Sequence, residues 1–162
     1  MAVQTTYFKG DGDALNNRDL GQAFTMRFAI DTATTNVASG DVLKLMEVPA
    51  NVLVDDVIVN VTTAEGGTLT LDIGDYLIAT DVAVDADGYH DGLNGNSAAV
   101  TKTSDQLAED TTAIGYAAGK FYAAATAYIG VLFNNAADAA IFDVIVKGVD
   151  CSRPAFTPAN TN

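Results

Sequence analysis

Few side chains of this chain could do chemistry. Its 162 residues hold one histidine, His90, and one cysteine, Cys151. A Ser–His–Asp or Cys–His relay needs a base within hydrogen-bond reach of its nucleophile. No serine stands in a Gly-x-Ser-x-Gly elbow, and Cys151 lies in a segment with no relation to His90. His90 is therefore expected as a solvated loop residue. A zinc site usually takes three or four Cys, His or acidic ligands at short spacing, and no such set occurs. Gly115 and Gly119 match the glycine-rich phosphate patterns only loosely, because no lysine–serine pair and no helix follow them. Asn60-Val61-Thr62 has the form of a glycosylation acceptor but lacks the secretory context that would give it meaning. No catalytic residue, cofactor or metal is assigned, and the chain is expected not to be an enzyme.

Two acidic features remain. The first is the segment Asp85-Ala-Asp87-Gly-Tyr-His-Asp91-Gly92. Hard cations such as calcium favour several carboxylates on a tight glycine-containing loop. With Gly88 set as the turn glycine of an EF-hand loop, Ala83 and Asn94 occupy the first and twelfth ligand positions, so both strong ligands are missing. Asp85, Asp87 and Asp91 are kept as a candidate cation loop of another geometry, against ordinary Asp-Gly turn chemistry. The second feature is a gap in positive charge. Between Lys44 and Lys102 there is no basic residue, while Glu47, Asp55, Asp56, Glu65, Asp72, Asp75, Asp81, Asp85, Asp87 and Asp91 are all acidic. The run reads either as a solvated surface or as a face that meets a basic partner.

Composition narrows the class of protein. Eight basic against 21 acidic residues give a net charge of −13. That opposes binding to nucleic acid, which needs clustered Lys and Arg to displace counterions from phosphates. It equally opposes docking on an anionic membrane surface. With 49% hydrophobic and 18% charged residues, the chain is too apolar to stay disordered. One cysteine makes no internal disulfide, so the fold is expected to be independent of an oxidising compartment. The start carries no apolar stretch behind a basic one, and no run approaches the ~18 apolar residues of a membrane span. The expectation is a soluble protein made in a cytoplasm.

The elements that would position these residues are strands. Phe24, Met26, Phe28 and Ile30 alternate with Thr25, Arg27 and Ala29, the period-2 pattern of a half-buried strand. Asp41–Val48 is a second strand, ended by Pro49, which cannot continue a ladder. Val52–Thr63 is the clearest, with Val57, Val59 and Val61 opposite Ile58, Asn60 and Thr62. Glu65-Gly66-Gly67 is expected to turn the chain through a hairpin into Thr68–Ile73, with glycine supplying positive φ. Tyr76–Val84 reads as a further strand, ended by the Asp-Gly loop. A short strand near Ala98–Thr103 follows, then Lys120–Ala124, Ala127–Asn134 and Ala139–Val149, with Asn134-Asn135 in the last turn. Eight or nine short strands without a convincing helix predict an all-β protein. Its expected form is a β-sandwich, a jelly roll of about eight strands. The predicted division is an N-terminal arm over 1–21, a β-sandwich domain over 22–151 and a C-terminal tail over 152–162.

The block from Val48-Pro-Ala-Asn-Val-Leu-Val-Asp-Asp-Val-Ile-Val-Asn-Val-Thr-Thr63 through Glu-Gly-Gly-Thr-Leu-Thr-Leu-Asp-Ile-Gly74 to the Asp-Gly loop resembles small structural proteins of tailed bacteriophages. The block Gly119-Lys-Phe-Tyr-Ala, Tyr-Ile-Gly-Val-Leu-Phe-Asn-Asn-Ala-Ala-Asp, Phe-Asp-Val-Ile-Val146 adds to the likeness. The resemblance is to head decoration, or cement, proteins, spans roughly residues 40–150, and rests on hydrophobic pattern and turn dipeptides. It implies a jelly-roll-like domain on the outer capsid surface of a virion. Such domains often sit as homotrimers, partnered by the major capsid protein, without an active site. The rival reading is a trimeric receptor- or glycan-binding head of a tail fibre. Tryptophan is absent, which leaves Tyr76, Tyr89, Tyr116, Tyr122 and Tyr128 as the body's candidates for a sugar-stacking platform.

Neither end carries a periodic apolar face, so the domain's own core does not account for them. The arm holds Tyr7, Phe8, Lys9 and Arg18, and the tail Arg153 and Phe156. Aromatic anchors with a nearby Arg are common carriers of interface energy. These six are the candidate interface residues, expected to reach acidic surfaces of neighbouring subunits.

Overall fold

The structure, a computed structural model, describes residues 3–4, 23–103 and 115–152, with the first pair described as backbone only. Among the described residues ten strands are present: β1 (Val3–Gln4), β2 (Ala23–Asp31), β3 (Val42–Glu47), β4 (Val52–Thr63), β5 (Thr70–Leu77), β6 (Ala83–Asn94), β7 (Ala99–Lys102), β8 (Lys120–Tyr122), β9 (Ala127–Phe133) and β10 (Ile141–Asp150). They form two sheets, one ordered β1-β3-β9-β5-β6 and the other β2-β10-β4-β7, with β8 also paired to β4. All pairs are antiparallel except β1 with β3.

The twelve-residue length of β4 explains its doubled edge. Its Ile58–Val61 stretch pairs β7, and its Val52–Val54 stretch pairs β8. Counted as one edge position, β7 and β8 complete a four-stranded sheet that faces β3-β9-β5-β6. Consecutive strands mostly alternate between the two sheets, as two interlocked Greek keys require. This is a jelly-roll-like sandwich, as the strand spacing predicts.

Each strand sends alternate side chains inward. Phe28 and Ile30, Val57, Val59 and Val61, and Phe142, Val144 and Val146 line one inner face. Leu71 and Ile73, Ile129, Val131 and Phe133, Tyr89 and Leu93 line the other. Phe133 and Phe142 meet across the two sheets with ring centroids 6.2 Å apart. On β3 both faces are covered. Leu43 and Leu45 enter the main core, while Val42 packs outside with Tyr76 and Tyr128, whose rings stack at 5.4 Å. Lys44 is buried there too, its ammonium 4.2 Å from the Tyr128 ring centroid.

Several sequence expectations are corrected here. The hairpin of Val52–Thr63 with Thr68–Ile73 does not form, because β4 and β5 lie in opposite sheets. Gly66 and Gly67 are not among the residues with positive φ. The link is instead a corner held by Glu65, whose Oε2 accepts the backbone N–H groups of Asp138, Ala139 and Ala140 at 3.3, 3.1 and 2.9 Å. Likewise Asn134-Asn135 starts a crossing between β9 and β10, which also lie in opposite sheets. Tyr76–Val84 is not one strand. The chain turns after Leu77, with Asp81 in the left-handed region at φ 54° and the Leu77 amide donating to Val82 O at 2.9 Å. The Asp85–Gly92 segment, expected as a loop, is the middle of β6. Its Asp-Gly pairs sit at register shifts against β5 rather than in a turn.

Candidate functional site

The two ends of the sandwich are built differently. At the Glu65 end the crossings over 32–41, 64–69, 95–98 and 134–140 are tied together by polar groups. Besides the Glu65 contacts, Asn135 Oδ1 accepts from Thr70 and Asn96 Oδ1 from the Leu69 amide. The opposite end, around Pro49, carries a buried polar cluster centred on Asp75.

Asp75 lies on β5, with its side chain 1% exposed. Lys120, on β8 of the other sheet, donates to Asp75 Oδ2 at 2.6 Å, and the Tyr116 hydroxyl donates to Oδ1 at 2.7 Å. The Lys120 ammonium also contacts the Tyr116 hydroxyl and lies 4.1 Å and 5.1 Å from the ring centroids of Tyr116 and Tyr122. Tyr89 and Tyr122 share a hydroxyl–hydroxyl hydrogen bond at 3.0 Å inside the core. Local sequence makes this possible. Gly119 turns the chain at φ 82°, where an L side chain is strained, and its amide donates to Tyr116 O at 2.7 Å. At Gly88 the Tyr116 ring presses so close that an added Cβ would lie 2.3 Å from it.

The chemistry of the cluster is positional. A carboxylate, a hydroxyl and two ring faces surround the ammonium, and together they pin residues 115–122 of one sheet's edge onto the other sheet. Burial, then the hydrogen bond and charge of Asp75, raise the Tyr116 hydroxyl above its ordinary value. Burial likewise raises Tyr89 and Tyr122. All three phenols are held neutral, as hydrogen-bonding members of a packed core.

The sequence candidates fall in different places. His90 is not a solvated loop residue. It is fully buried on β6, and its Nε2 lies 2.8 Å from Val57 O on β4, so the ring bridges the two sheets. A carbonyl oxygen only accepts, which makes Nε2 the protonated nitrogen. The Thr103 hydroxyl, just past β7 in the same sheet as β4, binds both the amide and the carbonyl of Val57 at 3.1 Å, so that carbonyl meets one partner from each sheet. Asp85 and Asp87 are partly exposed on β6, whereas Asp91 is exposed further along the strand. Burial, then the hydrogen bond and charge of Asp87, raise the Asp85 carboxyl above its usual range. Among the described residues no group of three His, Cys, Asp or Glu side chains is placed to hold a metal. Cys151 is exposed and free. Tyr7, Phe8, Lys9, Arg18, Arg153 and Phe156 lie outside the described residues.

Sequence reasoning missed Asp75, Lys120 and Glu65 as structural centres. Asp75 and Lys120 meet from 45 positions apart, and Glu65 finds its amides 73 to 75 positions away, so no local spacing marks these contacts. The one signal was that Lys120 follows a glycine and precedes two aromatic residues, Phe121 and Tyr122, in an otherwise alanine-rich stretch.

No protein-family model matches the chain, and no curated protein matches it. Solved structures do. A chain of the cyanophage Pam1 capsid asymmetric unit is similar at TM-score 0.54 and 14% identity, over 80% of this chain and 85% of that one. A chain of the capsid of Ralstonia phage GP4 is similar at TM-score 0.54 and 18% identity, over 83% and 88%. At these identities the likeness is one of fold, and it extends over most of both chains.

Proposed function

We propose that this chain is a structural virion protein that binds the outer surface of a phage capsid and stabilises it, without catalysis. The observation that carries the reading is the jelly-roll sandwich itself, which matches chains from two phage capsids over four fifths or more of its length. The build of the sandwich agrees with it. The titratable groups of the Asp75 cluster hold elements together, and the net charge of −13 favours a soluble, unassembled subunit before it meets a lattice. The tyrosines that a glycan-binding head would use are occupied elsewhere. Tyr76, Tyr89, Tyr122 and Tyr128 are buried and Tyr116 is half-buried.

In this reading residues 22–151 form a rigid body made in the host cytoplasm, and the segments 1–21 and 152–162 carry contacts to neighbouring copies or to the major capsid protein. A trimer suits such a lattice, since several linked sites add avidity. The test mixes the purified chain with expanded capsids of the virus that encodes it. Saturation at a fixed copy ratio, with three copies per position, is expected. Absence of binding refutes the reading. Deleting residues 1–18 removes the two-residue edge strand β1 as well, and should leave the remaining body folded while lowering occupancy. Unchanged occupancy and capsid stability refute the role given to the arm.

A further inference from the structure

Among the described residues six large apolar side chains are exposed, and four of them lie on elements of the Pro49 end: Leu77 (37%), Val82 (58%) and Val84 (52%) on one sheet, and Phe121 (53%) on the outer side of the other. Three of these sit on the β5–β6 turn, which is firmly held. The Asp81 amide donates to Leu77 O and the Leu77 amide to Val82 O, both at 2.9 Å, and the Ile78 amide donates to Thr126 O at 3.0 Å. Strand β6 pairs only β5 among the described strands, so this apolar tip belongs to a sheet edge. Exposed apolar side chains on a rigid edge mark interaction surfaces.

Charge says what kind of partner fits. Residues 70–94 contain six aspartates, Asp72, Asp75, Asp81, Asp85, Asp87 and Asp91, and no Lys or Arg. Asp81, Asp85 and Asp87 stand beside the apolar tip. The described basic residues lie elsewhere. Arg27, Lys102 and Lys147 are on the outer side of the other sheet, Lys44 is buried, and Lys120 is held by Asp75. Two copies of this tip would repel each other.

We propose that the β5–β6 tip at the Pro49 end is the docking face of the molecule, with Leu77, Val82 and Val84 as its apolar centre and Asp81, Asp85 and Asp87 as its rim. Its partner is an apolar patch rimmed by Lys and Arg on another protein. This rests on the capsid reading above, in which that partner is the shell and the Glu65 end points away from it. The acidic rim steers the encounter, and the apolar centre supplies the affinity.

The test compares the full chain with V82S/V84S and with Asp81→Asn, a residue that tolerates the left-handed conformation at this position. Both variants should keep the thermal stability of the parent, since Val82 and Val84 are exposed and Asn keeps the size and hydrogen-bonding capacity of the half-buried Asp81. Binding is measured on expanded capsids at several salt concentrations. V82S/V84S should weaken binding by roughly tenfold to a hundredfold. Asp81→Asn should slow association and flatten its salt dependence. Wild-type affinity and salt dependence in both folded variants overturn the docking face while leaving the capsid reading intact. No capsid binding by the wild type overturns both. Loss of self-association in V82S/V84S with capsid binding intact assigns the face to a second copy and overturns the proposal. Faster hydrogen exchange at residues 77–84 in the free protein on deletion of 153–162 assigns the face to the chain's own tail, with the same consequence.

Discussion

Removing Lys120 should cost this protein more than removing Asp75, although the two form one ion pair. The Asp75 side chain is 1% exposed and the Lys120 side chain 21% exposed. Lys120→Met leaves a carboxylate in the interior with only the Tyr116 hydroxyl to bind it, a loss of about 3–5 kcal/mol for a buried pair broken on one side. Asp75→Asn leaves an ammonium that keeps some access to water, two ring faces and the amide oxygen of the new side chain. Its cost should be about 2 kcal/mol, the size of a charged hydrogen bond. The double variant has no uncompensated charge and should lose about 3 kcal/mol, well short of the sum of the single changes, so the coupling is about 2–4 kcal/mol. Against a total stability of about 5–15 kcal/mol, Lys120→Met should lower Tm by roughly 10 °C. The chain has no tryptophan, so unfolding in urea would be followed by tyrosine near-ultraviolet circular dichroism and by far-ultraviolet signal. Single losses that add to the double loss within about 0.5 kcal/mol would show that the pair does not act as a unit. A Lys120→Met cost at or below that of Asp75→Asn would refute the ordering by burial.

Two further outcomes follow from the corners of the sandwich. Burial alone would raise the Glu65 carboxyl, but the amides of Ala139, Ala140 and Asp138 outweigh it and hold the group below its usual range. Its contribution is therefore complete above the unfolded carboxylate pKa of about 4.3 and is lost as pH falls through the lower folded value. Glu65→Ala should cost about 2–4 kcal/mol at pH 7 by orphaning three amides. The gap in urea midpoint between parent and variant should shrink at pH 3, and a gap that does not change with pH would contradict the amide contacts. Gly88→Ala drives a methyl group into the Tyr116 ring and should lose about 1–3 kcal/mol, with a change in tyrosine near-ultraviolet signal. A neutral Gly88→Ala would mean that Tyr116 does not pack there.

Strand positions were legible in the chain because alternation is a local property of an extended backbone. Val57, Val59 and Val61 face inward on β4, and Phe142, Val144 and Val146 do so on β10, as their period-2 spacing indicates. Pro49 ends β3 where a ladder must stop. Pairing was a different matter. Period 2 tells which face a side chain takes, not which strand lies beside it, and Glu65-Gly66-Gly67 between two alternating runs is equally compatible with a hairpin or with a crossing between sheets. The crossing prevails because β4 already has β10 on one side and β7 and β8 on the other. Asp-Gly pairs misled for the same reason. Between Asp85 and Gly92 they serve register shifts within a strand whose partner, β5, anchors both sides of the irregularity. His90, Asp75 and Lys120 look like solvated polar residues in the sequence, and only the meeting of two sheets buries them. A polar side chain enters a core when a partner from a distant segment repays its lost hydration, and that partner exists only once the chain has folded.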